Sequence, residues 1–446
     1  MRPVMKPHFR KNLLKRSIAT AFLLLSAFAV ASLSACKNSG SPTAVRLSLA
    51  VNAGVEGDAL KQAASDYEAQ TGIRVSISEF PYDDLFSKEY VDLKAATGAY
   101  DLIMLDDPWF PRFASEDLLT DLGPLLQKRG HNGPDADFVG SSIALCRHPY
   151  ETGTLFALPF VGNSQLFFYR GDLFKKHSLK EPATWDDVLN AAKTIDERER
   201  DGAPGGGAVH GYVMRAARGN SAVADFMPIF WAFGAEMFDA KGNATVNSSE
   251  GISALRFMLE LGKHSPPGYA GFNATDVSVH LLHGTAAMSI NWPAWIGAFT
   301  DPAQSKVIGK MAFTTMPGDK RPGQAEIGNW LIGIPRASNR VEAAMDFLLW
   351  ATAPEQMKKS ALAGNPPTRK SVFNDADLLA RFPAYPVQLR SLETSRPRPR
   401  TPIWNEIENV FGIFLSRANG GELTAEAAMN QANEEIAKIV ARGQHP

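Results

Sequence analysis

The amino-acid sequence predicts an α/β protein built as two lobes, and three observations carry that expectation. Short stretches of alternating apolar and polar residues are interleaved with amphipathic helical patterns. Continuous apolar runs such as Leu102-Ile103-Met104-Leu105 have the character of strands covered on both faces of a sheet. The chain, 446 residues of which 45% are apolar, is also too long for a single hydrophobic core.

The opening of the chain reads as an address. Arg2, Lys6, Arg10, Lys11, Lys15 and Arg16 form a basic start without one acidic residue, and an apolar stretch runs from Ile18 to Leu33. This layout predicts a secretory signal over residues 1–35. The apolar run is short and rich in Ser and Ala for a membrane span. Leu33-Ser34-Ala35-Cys36 resembles a lipobox, which makes Cys36 the acylated first residue of the mature protein and residues 36–43 a small, polar tether. The alternative is an ordinary signal that happens to contain a cysteine. Cys146 is the only other cysteine, so no intramolecular disulfide framework is available once Cys36 carries lipid.

Beyond the tether the elements follow in order. Val45, Leu47, Leu49 and Val51 alternate with Arg46, Ser48 and Ala50 as in a half-buried strand. Asp58 is placed to cap a helix carrying Leu60, Ala63, Ala64 and Tyr67, which Gly72 ends. Residues 74–80 alternate again, and 102–105 complete a β-α-β-α-β lobe. After Pro159, Leu166-Phe167-Phe168-Tyr169 reads as a strand. Thr184 opens a helix with Trp185, Val188, Leu189, Ala192 and Ile195 on one face and Asp187 at the capping-box position. Residues 201–208 form a Gly-rich loop and Lys241-Gly242-Asn243 a turn. Ile252, Leu255, Met258 and Leu259 mark a further helix, and residues 286–290 and 329–334 two strands. The second is followed by a helix with Val341, Ala344, Met345 and Leu348, and residues 424–441 are helical.

Charge excludes one class of partner. Residues 1–35 hold six of the 46 basic residues and none of the 47 acidic ones, so the remainder has 40 against 47, a net charge of −7. An acidic mature protein is a poor ligand for nucleic acid. A search for catalytic motifs is equally negative: there is no G-x-S-x-G elbow, no Walker-type lysine loop, no H-E-x-x-H and no C-x-x-C. Gly205-Gly206-Gly207 lacks the flanking strand and helix of a dinucleotide loop. His280 and His283 could share a helix face but have no carboxylate partner in view, so a surface or packing role is favoured over metal binding.

The tryptophans are more informative. Trp185 and Trp350 fall on helical stripes, whereas Trp109, Trp292, Trp295, Trp330 and Trp404 fall in loops, at strand ends or at a helix start; Trp231 is intermediate. An indole covers the apolar C–H face of a sugar ring while Asp, Asn and Arg bond its hydroxyls. Any one of these rings could simply be packing. Five near the loop ends where α/β sheets hold their ligands favour binding.

At this point the chain resembles the family 1 extracellular solute-binding proteins of the maltose- and trehalose-binding type. The resemblance rests on Tyr100 through Trp109 (YDLIMLDDPW), residues 156–176, Pro182 through Asp187 (PATWDD), Gly284 through Trp292 (GTAAMSINW), Gly328 through Ile334 (GNWLIGI) and Pro366-Pro367-Thr368-Arg369. It implies the type II periplasmic-binding-protein fold, with a ligand cleft between lobes joined by crossing hinge segments at 156–176 and 284–292. The N-terminal lobe would comprise residues 44–159 and 298–352, and the C-terminal lobe 160–297 and 353–446. By position the resemblance assigns Asp107, Trp109 and Trp330 to the cleft, Trp292 and Trp295 to aromatic platforms, Trp404 to a C-terminal platform and Arg369 to a polar anchor. Asn329 stands where many relatives have glycine, and Asn52, Glu56, Tyr82, Asn163 and Trp231 are further candidates.

The implied function is capture of a sugar or small oligosaccharide by hinge closure and its delivery to the transmembrane permease of an ABC importer. No cofactor, metal or covalent chemistry is implied. The protein would work in the periplasm or at the cell surface, held to a membrane by its lipid. Two alternatives stay open: the same fold binding a non-sugar, acidic or phosphorylated solute, for which Arg369, Arg396, Arg398 and Arg400 leave room, or a secreted carbohydrate-active enzyme.

Overall fold

The computed structural model describes residues 45–443. Residues 1–44, with Cys36 and the tether, lie outside the described residues, and among those described no helix is long and apolar enough to cross a membrane. The first lobe is organised around a five-stranded sheet. In spatial order its strands are Arg74–Phe80, Arg46–Asn52, Leu102–Asp106, Trp330–Gly333 and Ala157–Val161. The first three are parallel, and Trp330–Gly333 runs antiparallel between Leu102–Asp106 and Ala157–Val161. Leu102–Asp106, Trp330–Gly333 and Ala157–Val161 are buried at every position, as central strands under helices on both faces must be. The second lobe holds a three-stranded antiparallel sheet, Met288–Asn291, Leu166–Arg170 and Met311–Thr314. Around it stand the helices Trp185–Arg198, Asn220–Ala232, Ser249–Gly262, Ala274–His283, Trp404–Asn419 and Ala425–Gly443.

Both lobes are discontinuous in sequence, but the boundaries differ from those expected. Met311–Thr314, expected in the N-terminal lobe, pairs with Leu166–Arg170 of the second sheet. Residues 353–392, expected in the C-terminal lobe, supply Met357, Val372, Phe373, Leu378, Tyr385 and Leu392 to the first lobe's core. The second lobe's core ends the chain, from Trp404 to Ile439. The motif Gly284–Trp292 therefore stays within the second sheet instead of crossing. The connection consists of three short segments bonded side by side. Ser164 bridges Ile327, Glu326 bridges Arg396, the Gly328 N–H donates to the Asn163 carbonyl (2.9 Å), and the Arg396 N–H donates to the Ala325 carbonyl (2.8 Å).

Local chemistry explains the elements that matter most for the site. Helix Val55–Thr71 starts three residues before the expected cap at Asp58, behind Gly54 and without a side-chain cap. A Cβ on Gly57 would fall 1.8 Å from the Asn52 carbonyl oxygen, so only glycine lets this helix abut the end of strand Arg46–Asn52. Helix Trp185–Arg198 has the expected capping box: Asp187 N–H donates to Thr184 Oγ1 (3.1 Å), and Thr184 N–H donates to Asp187 Oδ2 (2.9 Å). Such a cap contributes about 1 kcal/mol. His280 stacks on Phe272 with 5.0 Å between centroids and its Nδ1 meets Thr285 Oγ1 at 2.8 Å, the packing role favoured for it.

Candidate ligand-binding cleft

A cavity of about 410 Å³ opens between the lobes at the carboxyl ends of the first lobe's parallel strands, where open α/β sheets bind ligands. Strand Arg46–Asn52 delivers Asn52, strand Leu102–Asp106 delivers Asp106, and the helix starts deliver Glu56 and Tyr82. Trp330 reaches the same edge because its strand is antiparallel, which pairs its first residue with Asp106. The hinge contributes Asn163, Gly328 and Arg398. The second lobe faces them with Arg215, Asn220, Ser221, Asn273, Thr275 and the pair Trp292 and Trp295.

Arg398 organises the floor. Its guanidinium, 2% exposed, lies 3.4 Å from Asp106 Oδ1, 3.2 Å from Asp107 Oδ1, and 3.5 Å from both Glu326 Oε1 and Glu408 Oε1. Burial by itself would lower this guanidinium's pKa, and Glu326, Asp106, Asp107 and Glu408 more than offset it. Arg400 adds a second cation, donating to the Asp107 carbonyl (2.6 Å) and to Asp107 Oδ2 (3.0 Å). Four buried carboxylates thus share two guanidinium groups. Burial accordingly pushes Asp107 up to about 7 and Glu326 up to about 8, against the pull of Arg398. Across the cleft Arg215 is matched by the buried Asp225, whose Oδ1 accepts from Arg215 Nε at 2.5 Å. Several buried polar atoms have no hydrogen-bond partner in the protein, among them Asn52 Oδ1, Asn163 Oδ1 and both oxygens of Glu326. Glu56 is half-buried, burial raises its carboxyl, and Oε1 accepts from Asn163 Nδ2 at 3.3 Å.

Seven of the residues singled out in the sequence line this cavity: Asn52, Glu56, Tyr82, Asn163, Trp292, Trp295 and Trp330. Six others are elsewhere. Asp107 is wholly buried beneath the floor, consumed by Arg398 and Arg400. Trp109, 2% exposed, stands behind the wall, its ring 5.0 Å from Tyr82 and 5.8 Å from Trp330. Asn329 is wholly buried, with neither side-chain polar atom hydrogen-bonded. Arg369 belongs to the far side of the first lobe, where it donates to Asp135 Oδ2 (2.7 Å) and stacks over Phe138 (4.0 Å). Trp231 and Trp404 are core residues of the second lobe, and Arg396 lies over the Trp231 ring at 4.9 Å. Nor do the C-terminal arginines offer charge to an anionic solute: Arg396 is paired with Glu236, Arg398 and Arg400 with the cluster just described.

Sequence reasoning missed Arg215, Asn220, Ser221, Asn273, Thr275 and Gly328, and weighed Arg398 only as a contact for an acidic solute. One signal was present. Asn273 caps helix Ala274–His283, accepting from the N–H groups of Thr275 (2.8 Å) and Asp276 (3.2 Å); a capped helix start after a loop is a recognisable pattern.

Comparison with known proteins agrees with the two-lobed fold. The family model for bacterial extracellular solute-binding proteins matches residues 53–358. A probable amino-acid ABC transporter periplasmic-binding protein of Sinorhizobium fredii is 27% identical over 345 residues, 75% of each chain. A mannitol-binding protein of Pseudomonas aeruginosa is 28% identical over 319 residues, 66% of this chain and 71% of the relative. Among solved structures, an ABC transporter solute-binding protein of Agrobacterium radiobacter in complex with ribitol superimposes with TM-score 0.81 and 25% identity, over 88% of this chain and 98% of the other. Maltose-bound MalE3 of T. maritima gives TM-score 0.79 and 27% identity, over 88% and 99%. On its matched length, its two-lobed fold and its interlobe cleft, the chain belongs to the bacterial extracellular solute-binding proteins.

Proposed function

We propose that this protein is the substrate-binding component of an ABC importer and that its cleft takes a neutral polyhydroxylated solute, a sugar or sugar alcohol. One observation carries the reading. Half-exposed indoles face amide and carboxylate acceptors, while both guanidinium groups at the cavity are already matched by buried carboxylates. An indole covers the C–H face of such a solute, and Asn52, Asn163, Glu56 and Asp106 bond its hydroxyls. A free amino acid or a phosphorylated sugar would need an unmatched cation for its anionic group, which this cavity does not offer. Among the ligands named for the relatives, mannitol, ribitol and maltose fit this chemistry, whereas the amino acid named for the Sinorhizobium fredii protein does not. Closure of the lobes on the solute supplies the form that a permease engages, through the solute's differential affinity for the closed state. No bond is made or broken.

A thermal-shift panel of mannitol, ribitol, maltose, glutamate and glucose 6-phosphate tests the reading, since a ligand at 100 times its Kd stabilises by about 2.7 kcal/mol. Neutral polyols or sugars should raise the melting temperature and the anions should not; stabilisation by the anions alone would sink it. The anchor is a separate part of the proposal: Cys36→Ser should release the protein from membranes or block its processing, and unchanged membrane fractionation would remove the lipid from the account.

A further inference from the structure

Resting on the proposed function, we propose that Glu326, which does not line the cleft, is a positioning residue for capture: it takes up a proton when the lobes close, so that the solute is held more tightly in acid than in alkali. Glu326 lies in the middle one of the three hinge segments, where its N–H donates to Gln165 Oε1 (3.2 Å). It is wholly buried, and neither carboxylate oxygen is hydrogen-bonded. The cation beside it is Arg398, whose Nε lies 3.5 Å from Oε1. That guanidinium is claimed from both lobes, by Asp106 and Asp107 at the end of a first-lobe strand and by Glu408 on the second-lobe helix Trp404–Asn419. Of the other cations nearby, Arg215 is matched by Asp225 and Arg400 by Asp107. Four carboxylates and two guanidinium groups need two protons to be neutral, and a buried carboxyl without hydrogen bonds is where one of them rests.

The position of this cluster makes the proton sensitive to closure. Arg398 travels with the first lobe, because two residues on Arg400 is fixed there by Asp107 Oδ2 (3.0 Å) and the Leu145 carbonyl (2.9 Å). Glu408 travels with the second. The lobes also meet away from the hinge, where a Cβ on Gly297 would lie 3.6 Å from the Gly364 Cα, so the conformation is a closed one. Opening carries Glu408 away from Arg398 and lets water into the cavity that Arg398 and Asp106 line. Both changes favour an ionised Glu326: its cation is shared with fewer carboxylates, a like charge departs, and burial is relieved. The closed form therefore holds the proton more firmly, with burial lifting Glu326 to about 8. A group that binds its proton more tightly in one of two forms favours that form at low pH, and the preference is lost as pH rises through the higher pKa. Closure should weaken from about pH 6 to about pH 9, by about tenfold for each unit that separates the two pKa values.

Fluorescence energy transfer across the unliganded protein tests this. Val91→Cys on the first lobe and Ile308→Cys on the second put labels at exposed positions (67% and 48%), with Cys146 buried and Cys36 replaced by serine. Raising the pH from about 6 to about 9 should reduce the closure constant by about threefold or more. Glu326→Gln, fixed in the neutral form, should abolish the dependence and keep the closed fraction at its acid level. Glu408→Gln removes the charge that opening carries away and should flatten the dependence too, which keeps the test decisive if Glu326→Gln does not fold. A wild-type closed fraction that stays constant over this range, or a dependence that survives in both variants, would overturn the proposal. Calorimetry with mannitol, ribitol and maltose, each in phosphate and in Tris, then counts the protons taken up per solute bound. Uptake that disappears in Glu326→Gln is expected, and binding without uptake overturns the proposal as well. Should none of the three bind, the fault lies with the proposed function, and the unliganded titration by itself still supports or overturns the part played by Glu326 in closure.

Discussion

The two walls of the cleft both present aromatic rings, and they use them differently. On the first lobe Tyr82, Trp109 and Trp330 interlock, with Trp330 edge to face with both Tyr82 (90°) and Trp109 (87°), and Trp330 is only 5% exposed. On the second lobe Trp292 and Trp295 are half-buried. Trp292 is steadied by Arg215 (5.5 Å) and lies so close to Gly328 that a Cβ there would fall 2.6 Å from the indole. The first wall is thus core that happens to reach the surface, and the second is surface awaiting a partner. Position at a cleft does not by itself say whether a ring is held for stability or for a ligand; the number of its sides already occupied does.

Four experiments break or sharpen that contrast. The largest effect is expected from Arg398→Met, which leaves four buried carboxylates with one guanidinium behind the first wall. Removing one partner of a buried ion pair costs about 3–5 kcal/mol, and with this carboxylate excess the upper end is expected in urea unfolding. Stability within about 1 kcal/mol of wild type would show that the cluster does not hold the wall. Trp330→Ala should come next, losing about 3–4 kcal/mol of unliganded stability, because Tyr82 and Trp109 can close only part of the space. An unchanged unliganded melt would return Trp330 to the class of free platforms. Trp292→Ala should reverse the pattern. Affinity for the cognate solute should fall by about 1–3 kcal/mol, with little change in the unliganded melt; a large loss of stability with intact binding would erase the distinction between the walls.

The smallest effect concerns protons. Glu326 has a carboxyl raised from its ordinary 4.5 to about 8 by burial. Between those values the folded state holds a proton that the unfolded state has lost, so stability falls as pH rises through the window and levels off above it. Wild type minus Glu326→Gln should therefore decline by on the order of 1 kcal/mol from pH 6 to pH 8. A flat difference would mean that Glu326 is ionised in the folded protein.

Much of the fold was legible because periodicity reports burial directly. The alternation in Val45–Val51, the run at Leu102–Leu105 and the box at Thr184 each became the expected element. What failed were inferences that need the third dimension. Asp106 and Asp107 are adjacent, and side chains along an extended segment point to opposite sides, so being off by one residue exchanged a wall residue for a buried one. Trp404 looked like a platform at a helix start, yet Trp404, Ile407, Phe411 and Leu415 fall on one helical face, and that stripe is core. Arg369 and the Arg396-Pro-Arg398-Pro-Arg400 run looked available for a ligand because their carboxylate partners, Asp135, Glu236 and Asp107, are distant in sequence. Arg215 sits in a connection without periodicity, where sequence alone places nothing, and Ser221 in the first turn of helix Asn220–Ala232, whose remaining residues are all buried and so show no amphipathic period.

The order of strands in the first sheet also constrains how the chain can acquire its shape. Trp330–Gly333 lies between Leu102–Asp106 and Ala157–Val161, so the edge strand Ala157–Val161 stays detached from the first three strands until more than three hundred residues have been made. At a synthesis rate of roughly 5–20 residues per second, strands finished early wait many seconds for the one that joins them. Pairings this remote in sequence also form slowly once every part is present. A polypeptide of this topology cannot complete its first sheet until most of its length has been made.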